Sequence, residues 1–237
     1  MTVLTMIQNV ADELGLSRPS SVISNSTAQV KQLLQVANRE GQALAKRGRW
    51  SAMIRENTFT ITAAASQGAL NGTVISDSDY LYMINGTMWN RTTDMPIIGP
   101  VSSAQWQTLQ AFPVTGPYQQ WMIRGKNLYL DPVPTATDSA AFDYMSSSWC
   151  ESAGGAGQRT WQADTDVGLL DEDLMGLGII WRWKRRIGAD YSEEFMEYER
   201  QVMTDLGRDG GAETLHLDNA QGTRQAGIVI PIGSWNV

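Results

Sequence analysis

The sequence predicts an α+β protein: a helical bundle formed by N- and C-terminal helices, an inserted and mostly antiparallel β-domain, and an extended C-terminal arm. Three observations predict it. Apolar residues recur at helical spacing near both ends, at Val3, Met6, Ile7 and Val10 and again at Phe195, Tyr198, Val202 and Leu206. Between about residues 55 and 150, short runs of β-formers alternate with Gly-containing turn signals. Beyond residue 206 the chain becomes rich in Gly, Asp, Asn and Thr and then carries the apolar run Ile228-Val229-Ile230-Pro231-Ile232. The divisions that follow are a helical domain from 1–54 with 158–206, a β-rich domain at 55–157, and an arm at 207–237.

The first helix is expected over residues 2–16, with Thr2 or Thr5 as its cap and Gly15 as its stop. Ser17-Arg18-Pro19-Ser20-Ser21 reads as a loop. A second helix is expected from Ser26, whose hydroxyl can cap it, to about Gly48, with Val30, Leu33, Leu34, Ala37, Leu44 and Ala45 as its stripe. Gly41 lies inside it. A mid-helix Gly costs roughly 1 kcal/mol relative to Ala, so its presence suggests close approach of another helix.

After Trp50 the pattern changes. Strands are expected at Thr58–Thr62, Thr73–Ile75, Tyr80–Ile84, Thr87–Thr92, Gln120–Arg124, Asn127–Leu130 and Ala141–Ser147. Gly125 marks one tight hairpin. Asn85-Gly86 marks another, with Tyr82 and Met83 on one arm and Met88 and Trp89 on the other. A short helix capped by Ser102 fits residues 102–110. Ser152-Ala153-Gly154-Gly155-Ala156-Gly157 reads as a flexible link. Helix returns at about 171–187, opened by Asp171, Glu172 and Asp173 and closed by Lys184, Arg185 and Arg186, an order that suits the helix dipole. Its middle is apolar on nearly all sides, the signature of a buried helix. A last helix is expected over 191–206.

Composition narrows the function. The chain has 237 residues, enough for a substantial core. Charged residues make up 18%, below the roughly 25% of ordinary soluble domains, as expected of a surface partly covered by partners. The net charge of −7 argues against gripping nucleic acid, since phosphate binding runs on Lys and Arg. Such a protein can still surround DNA without holding it. The N-terminal residues lack a secretory signal pattern, and no apolar run approaches the roughly 20 residues of a membrane span, so cytoplasmic synthesis and no membrane partner are expected.

The chemistry available is sparse. Cys150 is the one cysteine, which excludes an internal disulfide and a zinc cluster and suggests a buried thiol. His216 is the one histidine and has no acidic or nucleophilic neighbour in sequence, so triads that need a histidine are disfavoured. Asp164, Asp166, Asp171, Glu172 and Asp173 form an acidic cluster without the alternating spacing of a calcium loop, and it reads as a loop leading into a helix turn. Gly154-Gly155-Ala156-Gly157 does not open a helix and fails as a phosphate loop. Arg182, Lys184, Arg185 and Arg186 beside Trp181 and Trp183 could stack on a single strand of nucleic acid. The favoured reading is a helix end facing solvent or an acidic neighbouring subunit. Trp89, Trp106, Trp121 and Trp149 could form a sugar platform, but core and interface packing is the commoner use. No catalytic residue, metal or cofactor is therefore assigned.

The stretch Leu33-Leu34-Gln35-Val36-Ala37-Asn38-Arg39-Glu40-Gly41-Gln42-Ala43-Leu44-Ala45-Lys46-Arg47-Gly48-Arg49-Trp50 resembles the helical signature of head-to-tail adaptor proteins of tailed bacteriophages. Glu56-Asn57-Thr58-Phe59, Met88-Trp89-Asn90-Arg91, Gly99-Pro100-Val101-Ser102-Ser103-Ala104-Gln105-Trp106 and residues 122–134 fit the same pattern. So do Leu177-Gly178-Ile179-Ile180-Trp181-Arg182-Trp183-Lys184 and Gly188-Ala189-Asp190-Tyr191. The resemblance runs in order over about residues 1–206. It implies a non-enzymatic virion protein of the neck or tail region. It implies a ring, usually dodecameric, that docks under the portal, joins capsid to tail and leaves a channel through which genomic DNA passes without specific binding. The helices would make the ring, with Leu33, Leu34, Gly41, Trp50, Leu177, Ile180, Trp181 and Trp183 at its interface. The arm would reach the portal through Ile228, Val229, Ile230, Ile232 and Trp235, and the β-domain would face tail nozzle, tube or fibre proteins. The alternative is a tail-associated binding module whose β-domain anchors a fibre or holds carbohydrate.

Overall fold

A computed structural model describes residues 1–77, 79–112, 118–135 and 137–210. It is a mixed α+β structure with five α-helices and antiparallel sheets among these residues. The residues expected to form the arm beyond 210, with His216, lie outside the described residues.

Helix α1 spans Val3–Glu13, its first turn capped by the Thr2 side chain, which accepts from the Thr5 amide at 3.4 Å. Gly15 follows in the left-handed region at φ +66°, as expected of a stop. Helix α2 spans Ala28–Leu44. Its cap position is Thr27 rather than Ser26, and no side chain caps it there. The other end is better held: the Trp50 indole donates from Nε1 to the Leu44 carbonyl at 2.9 Å.

Strand β1 covers Ile54–Thr60, beginning four residues before the alternating Thr58–Thr62 run. Strands β2 (Ser66–Ala69), β3 (Tyr80–Met83), β4 (Trp89–Asn90) and β5 (Met95–Pro96) follow. Residues 73–75 do not form a strand; they lie in a turn closed by an isolated bridge between Asn71 and Ile75. Helix α3, Ser103–Ala111, carries the expected Ser102 cap as a full capping box with Gln105. Strands β6 (Gln120–Arg124) and β7 (Asn127–Asp131) form the hairpin expected at Gly125. Gly125 and Lys126 both have positive φ, 56° and 69°, which a two-residue primed turn requires. Strand β8 covers Ser139–Ser146.

The Asn85-Gly86 hairpin does not form. β3 and β4 do not pair with each other; both pair antiparallel with β8, β3 opposite residues 144–146 and β4 opposite 140 and 141. They run end to end along one edge of β8, while β1 takes the other edge over seven paired residues. Thr87 explains the arrangement: its hydroxyl donates to the Ile84 carbonyl at 2.8 Å and accepts from the Asp143 amide at 3.0 Å, pinning the turn to β8. The polar stretch at 152–157 is also not a free link. It is a tight turn between β9 (Cys150–Glu151) and β10 (Gly157–Gln158), with β11 (Val167–Gly168) on the other side of β9.

Helix α4 spans Glu172–Ile187, capped by the Asp171 carboxylate, which accepts from the Leu174 amide at 2.9 Å, and ended by Gly188 in the left-handed region. Helix α5 spans Ser192–Asp209, three residues further than the stripe ending at Leu206 suggested. The extension is held because Asp209 accepts from the Ser51 hydroxyl at 2.7 Å.

Two apolar cores result. One joins α1, α2, α4 and α5, with α4 in contact with each of the other three. The other lies among the strands and holds Ile61, Met88, Trp121, Leu128 and Phe142. Strand β8 serves both, for Met145 enters the helical core while Ala140, Phe142 and Tyr144 enter the sheet core. Opposite faces of one strand carry these two sets. Trp149 and Cys150, within the 55–157 block, likewise pack into the helical core.

Candidate functional site

The polar organisation of the helical region centres on Glu40. It sits on the apolar stripe of α2 and is fully buried. One carboxylate oxygen accepts from the Arg182 Nε of α4 and the other from the Tyr198 hydroxyl of α5. One buried charge thus ties three helices together. Burial and the Glu40 charge hold the Tyr198 hydroxyl protonated far above its ordinary range. Gly178 makes the approach possible: a Cβ there would run into the Glu40 side chain. Around this centre, Arg47 makes a two-pronged pair with Glu199, and Lys184 pairs with Glu194. Both arrangements hold the carboxylates below the ordinary glutamate range, the hydrogen bond from the cation being the largest cause. The sequence marks Glu40 only as a lone carboxylate in register with Leu33, Ala37 and Leu44 on the buried face of α2.

Three carboxylates of the acidic cluster accept from backbone amides. Asp164 accepts from the Val22 and Ile23 amides at 3.0 and 2.8 Å, and Asp166 from the Gln162 and Ala163 amides at 2.6 and 2.8 Å. With Asp171 capping α4, these carboxylates organise loops and a helix start. Cys150 is buried, and desolvation is the main cause that pushes its thiol up to about 12. A neutral thiol is a poor nucleophile.

The tryptophans are core residues more than a platform. Trp106, Trp121 and Trp149 are buried, and only Trp89 of the four in the β-region is half-exposed. Trp149 packs edge-on against Trp161 with ring centroids 5.0 Å apart. It also explains Gly41, since a Cβ at that position would meet the Trp149 indole. The close approach expected at Gly41 is therefore made by a side chain, not by a helix.

Of the residues expected at a ring interface, Leu33, Gly41, Trp50 and Trp183 are buried inside the chain's own helical region. Leu33, Trp50 and Trp183, at 1–5% exposure, pack into the helical core of the chain itself and leave little of their own surface open. Leu34 is half-buried against the same core. Ile180 and Trp181 are as deeply buried, at 3% and 5%, and with the half-buried Leu177 they lie along two surface clefts on α4.

The first cleft, about 530 Å³, lies between α2 and α4 and is lined by Val36, Arg39, Trp181, Arg182, Arg185 and Arg186. Arg182 stacks over the Trp181 ring at 4.4 Å and is neutralised by Glu40. Arg39, Arg185 and Arg186 are exposed and make no ion pair among the described residues. The second cleft, about 260 Å³, lies between α1 and the first half of α4 and includes Glu13, Glu172, Asp173, Leu177 and Ile180. Met196 and Met203 are exposed on α5, at 73% and 72%. Among the described residues no helix is long and apolar enough to cross a membrane, and no group of three or more His, Cys, Asp or Glu side chains could hold a metal ion.

A search of curated proteins finds no match. A family model described as the SU10 adaptor protein matches residues 1–225. With nearly the whole chain covered, the protein belongs to the SU10 adaptor protein family and is a phage structural adaptor.

Proposed function

We propose that the protein is a head-to-tail adaptor that oligomerises into a ring, attaches to the portal and joins capsid to tail around a channel for DNA. The observation that carries this reading is the family match over residues 1–225, which spans both cores and most of the segment beyond α5. The distribution of polar groups supports a structural role without catalysis. The carboxylates of Asp164, Asp166 and Asp171 hold backbone amides, and the one thiol is buried and neutral. The net charge of −7 suits a channel that DNA crosses without sticking. Partners are further copies of the chain, a portal protein, and tail nozzle, tube or fibre proteins, in the neck or tail of the virion.

The test is to mix the purified chain with its portal and follow assembly by ultracentrifugation and cryo-microscopy. A ring seated on the portal is expected; a compact monomer that binds no portal refutes the reading. Within it, Ile228, Val229, Ile230, Ile232 and Trp235 anchor the arm. Deleting residues 226–237 is expected to weaken portal attachment while the circular dichroism of the fold is retained, and unchanged attachment refutes the arm's role.

A further inference from the structure

The two clefts on α4 have opposite charge and lie on different sides of one helix. Residues 173, 177 and 180 share one face at helical spacing, and residues 178, 182 and 185 share another. An offset of five positions rotates one face from the other by about 140°, and Asp173 and Arg185 stand about 18 Å apart along the axis. The acidic side carries Glu13 and Asp173, neither in an ion pair among the described residues, beside the half-buried Leu177. The basic side carries Arg39, Arg185 and Arg186, equally unpaired, on a chain whose acids outnumber its bases by 25 to 18. At the base of the basic cleft Trp181 is only 5% exposed, and its buried Nε1 has no hydrogen-bond partner among the described residues.

We infer that the arginine cleft between α2 and α4 receives the acidic α1–α4 edge of a second copy of this chain. Glu13 and Asp173 of one copy would face Arg39, Arg185 and Arg186 of the next, with Leu177 at the apolar centre of the contact. Two complementary surfaces on different sides of one subunit make a head-to-tail contact, and such a contact closes into a ring when its rotation permits. This inference rests on the ring reading and supplies its interface. Charge complementarity selects a second copy over nucleic acid, because the acidic edge on the same chain is a partner for the cleft and would repel phosphates.

The test uses the full chain, alone and assembled on its portal, measured by sedimentation and native mass spectrometry. Arg39→Glu with Arg185→Glu, and separately Glu13→Lys with Asp173→Lys, are expected to weaken association between copies by roughly tenfold or more, since each sets like charges face to face. All four changes in one chain exchange the signs and are expected to restore association, which a merely misfolded variant would not do. Assemblies that withstand both reversals overturn the inference and leave the ring reading intact. A parent chain that forms no assembly, alone or on the portal, overturns both. Tight binding of a single-stranded oligonucleotide to the arginine cleft, with association between copies unaffected by the reversals, also overturns it.

Discussion

Glu40 concentrates the chemistry of this protein at the scale of a residue. A carboxylate taken fully out of water is tolerable only when its oxygens are matched, and here Arg182 and Tyr198 match them. Glu40→Ala leaves Arg182 partly buried and Tyr198 fully buried without their acceptor. It is expected to cost about 3–5 kcal/mol in denaturant unfolding, far more than an exposed Glu→Ala change. Cys150 makes a separate prediction. Because desolvation keeps its thiol neutral up to about 12, iodoacetamide at pH 8 should label the folded chain very slowly and the urea-unfolded chain readily. Rapid labelling of the folded chain would contradict its burial. The cysteine's position was legible in the sequence only as a composition argument, whereas Glu40 required noticing one charge on an apolar stripe.

Among the elements, α5 is held at its margins by charge. Its contacts are Tyr198 and Val202 in the core, then Glu199 with Arg47 and Glu194 with Lys184 at the margins. In both pairs the folded carboxylate titrates below the unfolded value of about 4.3, so the stabilisation is present above that pH and is lost as acid protonates the folded group. Solvent screening keeps each pair to less than about 1 kcal/mol. Lowering the pH from 7 toward 3 should therefore loosen α5 modestly, seen as lower protection factors over residues 192–209 once the intrinsic pH dependence of amide exchange is divided out. Glu199→Gln should remove part of that pH dependence; an unchanged profile would refute the pairing. The helices themselves were legible because caps and stripes are local: Thr2, Ser102 and Asp171 each sit where a first turn needs an acceptor. The Asn85-Gly86 turn was legible too, but its meaning was not. A turn signal says that the chain bends, and Thr87 bonding across to Asp143 decides that the flanking strands meet β8 instead of each other.

The whole molecule is joined through β8. One face of that strand supplies Met145 to the helical core, and the other supplies Phe142 and Tyr144 to the sheet core. Neither core can lose its packing without disturbing this strand, so the two are expected to unfold together. Tryptophan fluorescence reports chiefly on the helical core through Trp149, Trp161, Trp181 and Trp183, and far-ultraviolet circular dichroism reports on helices and sheets. Their denaturation curves should coincide, and two separated transitions would show that the 55–157 block is an independent domain.

What the sequence by itself determined is what depends on near neighbours: the helices, their caps, the Gly125 hairpin, the mixed α+β class, and the ordered motifs by which the chain resembles phage adaptors. Periodicity and capping are properties of a few consecutive residues, so they can be read without coordinates. Only the tertiary structure decided which apolar residues were core and which were left at the surface. It buried Leu33, Trp50 and Trp183 within the chain, set Trp149 against Gly41, and turned α4 into a helix with an acidic cleft on one side and an arginine cleft on another. The physical reason is that an all-round apolar helix announces burial but not its neighbours. Whether a residue on it meets α1, α2, α5 or another molecule depends on contacts between segments as much as 171 positions apart, such as the Met1–Glu172 pair, which local spacing does not encode.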